Sequence, residues 1–149
     1  MGLWKNSFNA NSKVTRHGGF AIKVINDTGA DSVEGTVVKP SFSVAHGVSL
    51  VGIGDPDPIG IVLDSGVPDG EEMWITTNGL AKVFYIGSVT LHYFARVTVS
   101  GDSGNEAGKL IAEPVPNNPF STDKHFQECG HVRESRVGAG LALTYVHFN

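Results

Sequence analysis

Pro58–Ile86 reads PIGIVLDSGVPDGEEMWITTNGLAKVFYI, and this stretch decides the fold. It holds three apolar runs of strand length, Ile59–Leu63, Glu72–Thr76 and Leu80–Ile86. The first junction, Ser65–Gly70, is turn chemistry: its glycines supply φ > 0 and Pro68 sets its own φ. The second junction, Asn78-Gly79 between apolar runs, is the signature of a two-residue hairpin. Strand alternation sets Met73 and Ile75 on one face and Trp74 and Thr76 on the other. Leu80, Lys82, Phe84 and Ile86 likewise lie opposite Ala81, Val83 and Tyr85. Apolar groups therefore fall on both faces. Such a meander must be covered on both sides, by its own chain or by a neighbouring subunit.

Outward from this centre the strand-and-turn rhythm continues. Upstream, Phe20–Ile25, Gly35–Val38 and Val48–Ile53 read as strands, stopped by Asn26–Gly29, Pro40 and Gly54–Pro58. Downstream, Thr90–Ser100 mixes helical spacing at Leu91, Phe94 and Ala95 with alternation at Val97 and Val99. It reads as a bent strand, or as one helical turn running into a strand. Lys109–Glu113, Phe126–Glu134 and Leu141–Phe148 complete the set, with a proline-rich loop at Pro114–Pro119. The expected fold is mainly β: a compact single-domain β-sandwich or partly closed barrel with many short hairpins. An extended N-terminal arm over residues 1–17 precedes this β-rich domain of residues 18–149. The arm is polar and basic, with Trp4, Phe8 and Val14 isolated in it, and reads either as a mobile terminus or as an arm that orders against a partner.

Composition narrows the function classes. Of 149 residues 17% are charged, below the ~25% of typical soluble domains, and 19 are glycine. A turn-rich β fold follows, as does a surface partly committed to contacts with other chains. The net charge of −4 provides no basic footprint for nucleic acid. One cysteine, Cys129, rules out an intrachain disulfide and a cysteine-rich zinc site. No run approaches the ~18 apolar residues of a membrane span, and no signal-peptide core is present. The expectation is a product made in the cytoplasm, with no membrane partner and no cofactor.

Several residue groups could carry chemistry. Gly101-Asp102-Ser103-Gly104 matches the nucleophile loop of chymotrypsin-like serine proteases, whose glycines let backbone N–H groups form an oxyanion hole. His46 followed by Asp64 or Asp69 supplies the right order of partners, but Asn105 replaces the glycine that completes the motif. The simpler reading is a glycine-rich loop in which Asp102 and Ser103 provide turn hydrogen bonds. Cys129 and His131, two apart on one strand, share a face. A metal there needs further ligands, for which His147 of the final strand is the candidate. A half-buried cysteine near a surface histidine is the preferred reading, and no metal is expected. Asp55, Asp57, Asp64, Asp69, Glu71 and Glu72 lack calcium-loop order and read as solvated turn carboxylates. No phosphate-binding loop is present.

A resemblance adds to this reading. Gly60–Glu71 (GIVLDSGVPDGE), Trp74–Val83 (WITTNGLAKV), Gly130-His131-Val132 and Gly140–Val146 (GLALTYV) resemble the capsid decoration, or cement, proteins of tailed bacteriophages. The likeness extends over residues 35–149 and rests on turn-and-strand motifs. It implies a homotrimer on the outer surface of an expanded capsid, clamping adjacent major capsid proteins, hence a structural virion protein and not an enzyme. By residue type, Trp4, Phe8, Lys13 and Arg16 of the arm are the candidates for capsid binding. Trp74, Tyr85 and Tyr145 are the candidates for trimer contacts. The alternatives are a compact serine protease using Ser103 and a β-sandwich binding module of a phage tail or fibre.

Overall fold

The computed structural model describes residues 11–115 and 122–148. Ten strands run in chain order: β1 (Ser12–Val14), β2 (Gly19–Asn26), β3 (Val37–Pro40), β4 (Gly47–Leu50), β5 (Gly60–Val62), β6 (Glu72–Tyr85), β7 (Phe94–Val97), β8 (Leu110–Glu113), β9 (Glu128–Val132) and β10 (Gly140–Val146). A short helix, α1 (Thr122–Gln127), precedes β9, so the strand expected from Phe126 begins two residues later. The strands form one mixed sheet in the order β1-β2-β4-β3-β5-β6-β10-β9-β7-β8. The fold is mainly β and the domain is single, as the turn-rich sequence requires.

The sheet closes partly on itself, twice, and both closures use β6. Pairing of β2 with β6 rings β2, β4, β3, β5 and β6; pairing of β6 with β8 rings β6, β10, β9, β7 and β8. The second closure is narrow, a single parallel register pair between Tyr85 and Leu110. Each ring encloses its own core. Val24, Val38, Val48, Val62, Met73 and Ile75 fill the first. Ala81, Val83, Tyr85, Ala95, Val97, Leu110, Cys129, Val132, Ala142 and Val146 lie in the second, with Val37 and Ile61.

Neighbouring residues on β3 and β5 feed opposite cores: Val38 and Val62 enter the first, Val37 and Ile61 the second. That is why these strands read as unbroken apolar runs, since both of their faces are buried. For β5 the chain itself supplies cover on both sides, whereas on β6 the face carrying Trp74, Leu80 and Phe84 is only half-buried.

The Asn78-Gly79 hairpin does not form. Glu72–Tyr85 is one continuous strand of 14 residues. Phe20 faces Asn78 while Ala21 faces Thr76, so Thr77 is an extra residue and the strand bulges there. Gly79 has φ +85° and faces Gly19, and a Cβ on Gly79 would lie 2.9 Å from the Gly19 Cα. The left-handed glycine bends the strand between its two rings and lets two backbones approach; it does not reverse the chain. Of the expected arm, residues 12–14 form β1, paired with Phe20–Ile22 of β2, and residues 1–10 lie outside the described residues.

Candidate functional site

The outer side of β9 and β10 gathers ligating side chains, and a backbone irregularity is the cause. The strands run antiparallel with His131 opposite Tyr145, and the His147 amide donates to the Cys129 carbonyl at 3.1 Å. Across β9, Ala95 faces Gly130 and Arg96 faces Glu128, which leaves Cys129 as an extra, bulged residue. Gly130 takes φ +142°, and a Cβ there would lie 2.1 Å from the Tyr145 carbonyl oxygen. Residues three apart on a regular strand face opposite sides. The bulge cancels one step, so Glu128 and His131 meet on one side.

Their geometry is close. Glu128 Oε1 lies 3.4 Å from His131 Nε2 and 3.6 Å from His147 Nε2. The two imidazole centroids are 5.3 Å apart, with the rings tilted by 37°. One ligand atom from each of the three residues lies within 4.8 Å of the others. The Glu128 side chain is 11% exposed, against 44% for His131 and 35% for His147. Beside the cluster is an open groove of ≈ 570 Å³, whose lining includes Leu80, His92, His131, Arg133 and Tyr145.

Cys129 is not part of this cluster, contrary to the shared face that its spacing from His131 predicts. The bulge turns it into the second core, where its thiol is fully buried and directed at the Gln127 carbonyl, 3.4 Å away. Burial pushes the thiol pKa well above its ordinary value. Glu128 is the member of the cluster that the sequence does not announce. The available signal was Gly130 inside an apolar strand, a mark of a bulge, which brings residues at i and i+3 to one side.

The residues expected at contacts are dispersed. Trp4 and Phe8 lie outside the described residues. Lys13 sits 4.5 Å from the Trp74 ring centroid and Lys23 5.3 Å from it, so one capsid candidate and one trimer candidate share a cation–π cluster. Arg16 is engaged within the chain, pairing with Asp64 at 2.8 Å and Glu34 at 2.9 Å, and its pKa is raised chiefly by the Asp64 bond. Tyr145 is half-exposed. Tyr85 is a correction: it is fully buried in the second core, with its hydroxyl 2.7 Å from Thr144 Oγ1, and cannot reach a trimer contact. The outward register assumed for it belongs to its neighbours Phe84 and Lys82, which alternate out of the sheet.

The Gly101–Gly104 loop has a structural use. Asp102 takes two hydrogen bonds from Arg96, at 2.9 and 3.0 Å, and one from the Val99 amide at 2.8 Å. Ser103 is exposed on the turn. Asp64 pairs with Arg16 and Asp69 accepts the Gly29 amide at 2.8 Å. Among the described residues no hydrogen bond joins His46 to Asp64, Asp69 or Ser103. Asp55 is also less solvated than its proline-flanked loop suggests. Lys39 and the Gly52 amide bond it, and Lys39 foremost holds its carboxyl below the usual range. No protein-family model matches the chain, and a search of the curated proteins finds no match.

Proposed function

We propose that this chain is a structural virion protein of the decoration type, which binds the outer surface of an expanded phage capsid as a trimer and clamps adjacent major capsid proteins. The resemblance in Gly60–Glu71, Trp74–Val83 and Gly140–Val146 names the class. The observation that carries the reading is that both cores are filled by the chain's own residues while large apolar side chains remain outside. Phe42 and Val137 are almost fully exposed, Val14 largely so and Tyr145 by half. Apolar groups left over after folding are available to a partner.

The physics of the clamp is mass action. A ligand that binds only the expanded lattice stabilises that lattice, and three weak contacts on one rigid trimer act at high effective concentration. Trp4 and Phe8 are the anchors assigned to the capsid, with Lys13 beside them in sequence. Arg16 is already bonded to Asp64 and Glu34. Trp74 and Tyr145 remain the candidates for the trimer contact.

Two measurements test this reading together. Light scattering should find three times the 15.8 kDa mass of one chain. Co-sedimentation should then show saturable binding to expanded, undecorated heads of the phage that encodes the chain, with none to unexpanded heads. Deleting residues 1–10 should abolish co-sedimentation and leave the trimer intact, whereas Tyr145→Ala should weaken the trimer. A monomer that fails to sediment with expanded heads would overturn the proposal.

A further inference from the structure

We propose that Glu128, His131 and His147 form a binding site for a divalent first-row transition ion, with Zn²⁺ the fitting occupant. The inference rests on the geometry of β9 and β10 and stands whether or not the chain decorates a capsid.

Donor chemistry selects the class of ion. Two imidazole nitrogens and one carboxylate oxygen suit zinc and its transition-metal neighbours, whereas calcium and magnesium prefer all-oxygen shells. Spacing fits as well. Zinc lies about 2.0–2.2 Å from nitrogen and oxygen ligands, which places the ligand atoms of a tetrahedral site about 3.3 Å apart. The separations from Glu128 Oε1 to the two histidine nitrogens are 3.4 and 3.6 Å. The third edge, between the two imidazoles, is within 4.8 Å, so a closing movement of these partly exposed rings completes three corners of a tetrahedron.

The backbone holds the set in place. His131 stands on β9 and His147 directly follows β10, next to Val132 and Val146, which are buried in the second core, and Glu128 is fixed by the bulge at Cys129–Gly130. The carboxylate is nearly buried while both imidazoles remain partly open. That leaves a fourth position for water, as in three-ligand zinc sites. The thiol of Cys129 is on the other side of the strand and is not a ligand. The rival account is that Glu128 only accepts hydrogen bonds from the two imidazoles, and it needs no ion.

The experiment is a titration of tag-free, chelator-stripped full chain with ZnCl₂ in competition with a chromophoric chelator, with native mass spectrometry reading metal per chain. One zinc per chain is expected, and His131→Ala, His147→Ala and Glu128→Gln should each weaken binding at least tenfold. His92→Ala, which alters an exposed groove histidine outside the set, should leave binding unchanged. Each variant's melting temperature in EDTA checks its fold. Two readouts need no variant: Zn²⁺ should shift the imidazole NMR signals of His131 and His147 specifically, and Co²⁺ should produce ligand-field bands without thiolate charge transfer. Failure of the wild-type chain to bind one equivalent would overturn the proposal in favour of the hydrogen-bonded account. Binding that survives in the His131→Ala/His147→Ala double variant would overturn it equally.

Discussion

Arg96 is a cation placed inside a β-sheet, on β7, with its side chain only 9% exposed. Removing such a charge from water costs several kcal/mol unless partners replace the solvent. Asp102 grips it through two bonds, Glu113 adds a third at 3.2 Å, and the Val97 carbonyl accepts a fourth at 3.0 Å. The Gly-Asp-Ser-Gly loop is thus the turn that delivers Asp102 to Arg96. Asp102→Ala should destabilise the fold by about 2–4 kcal/mol, because it leaves the guanidinium short of its main counterion. Ser103→Ala, at an exposed position, should stay within about 0.5 kcal/mol. Urea unfolding of both variants checks the order, and the opposite order would remove the structural role assigned to Asp102. From the sequence the motif was visible but its use was not, since nothing local to residues 101–104 indicates that Arg96 lies within bonding distance.

At the scale of elements β6 matters most. It passes from one ring to the other at Gly79, where only a residue without a side chain fits against Gly19. Gly79→Ala adds left-handed strain and a backbone clash, and should cost about 2–4 kcal/mol, read as a lowered denaturation midpoint. An unchanged midpoint would mean that the bulge relaxes freely. Further along the strand, Lys82 reaches Glu134, which also accepts the Leu143 amide at 2.6 Å and so ties β6 to the β9–β10 connection. The Lys82 bond first, then the amide, holds the Glu134 carboxyl below the ordinary range. A carboxyl lowered on folding contributes stability above its unfolded pKa and loses it as pH falls through its folded pKa. The melting-temperature gap between the wild type and Glu134→Gln should therefore be present at neutral pH and close below about pH 4. It should be small, well under about 1 kcal/mol, because both side chains are solvent-screened. A gap that widens in acid would contradict the assignment.

For the whole molecule, the shared strand couples two cores that would otherwise be separate. β6 runs through both rings, and Val37 and Ile61, on β3 and β5 of the first ring, are buried in the second core, so opening the first ring strips side chains from the second. Unfolding should therefore be a single cooperative event, as small domains usually show. Native-state hydrogen exchange tests this: the slowest amides of β4, on one ring, and of β9, on the other, should exchange with the same opening free energy. Distinct values would mean that the two rings unfold as independent units.

Much of this architecture was legible locally. Apolar runs of strand length, punctuated by glycine, proline and asparagine, determine a β fold with these strands in nearly these places, because turn conformations and side-chain alternation are properties of neighbouring residues. Asn78-Gly79 marks the limit of that logic. A hairpin turn there calls for a left-handed glycine, and Gly79 is one, but the same backbone conformation serves a hairpin or a bulge, and the pairing with Gly19 decides which. Alternation separates two faces without saying which is inside, so it cannot place Tyr85; two ring closures formed by strands distant in sequence bury it. The ligating cluster is tertiary for the same reason. His131 and His147 are 16 positions apart in the sequence, Glu128 reaches them only through the bulge at Cys129, and that bulge exists because β7 pairs with β9 out of step. Sequence sets what each residue can do locally, and long-range pairing selects which of those possibilities meet.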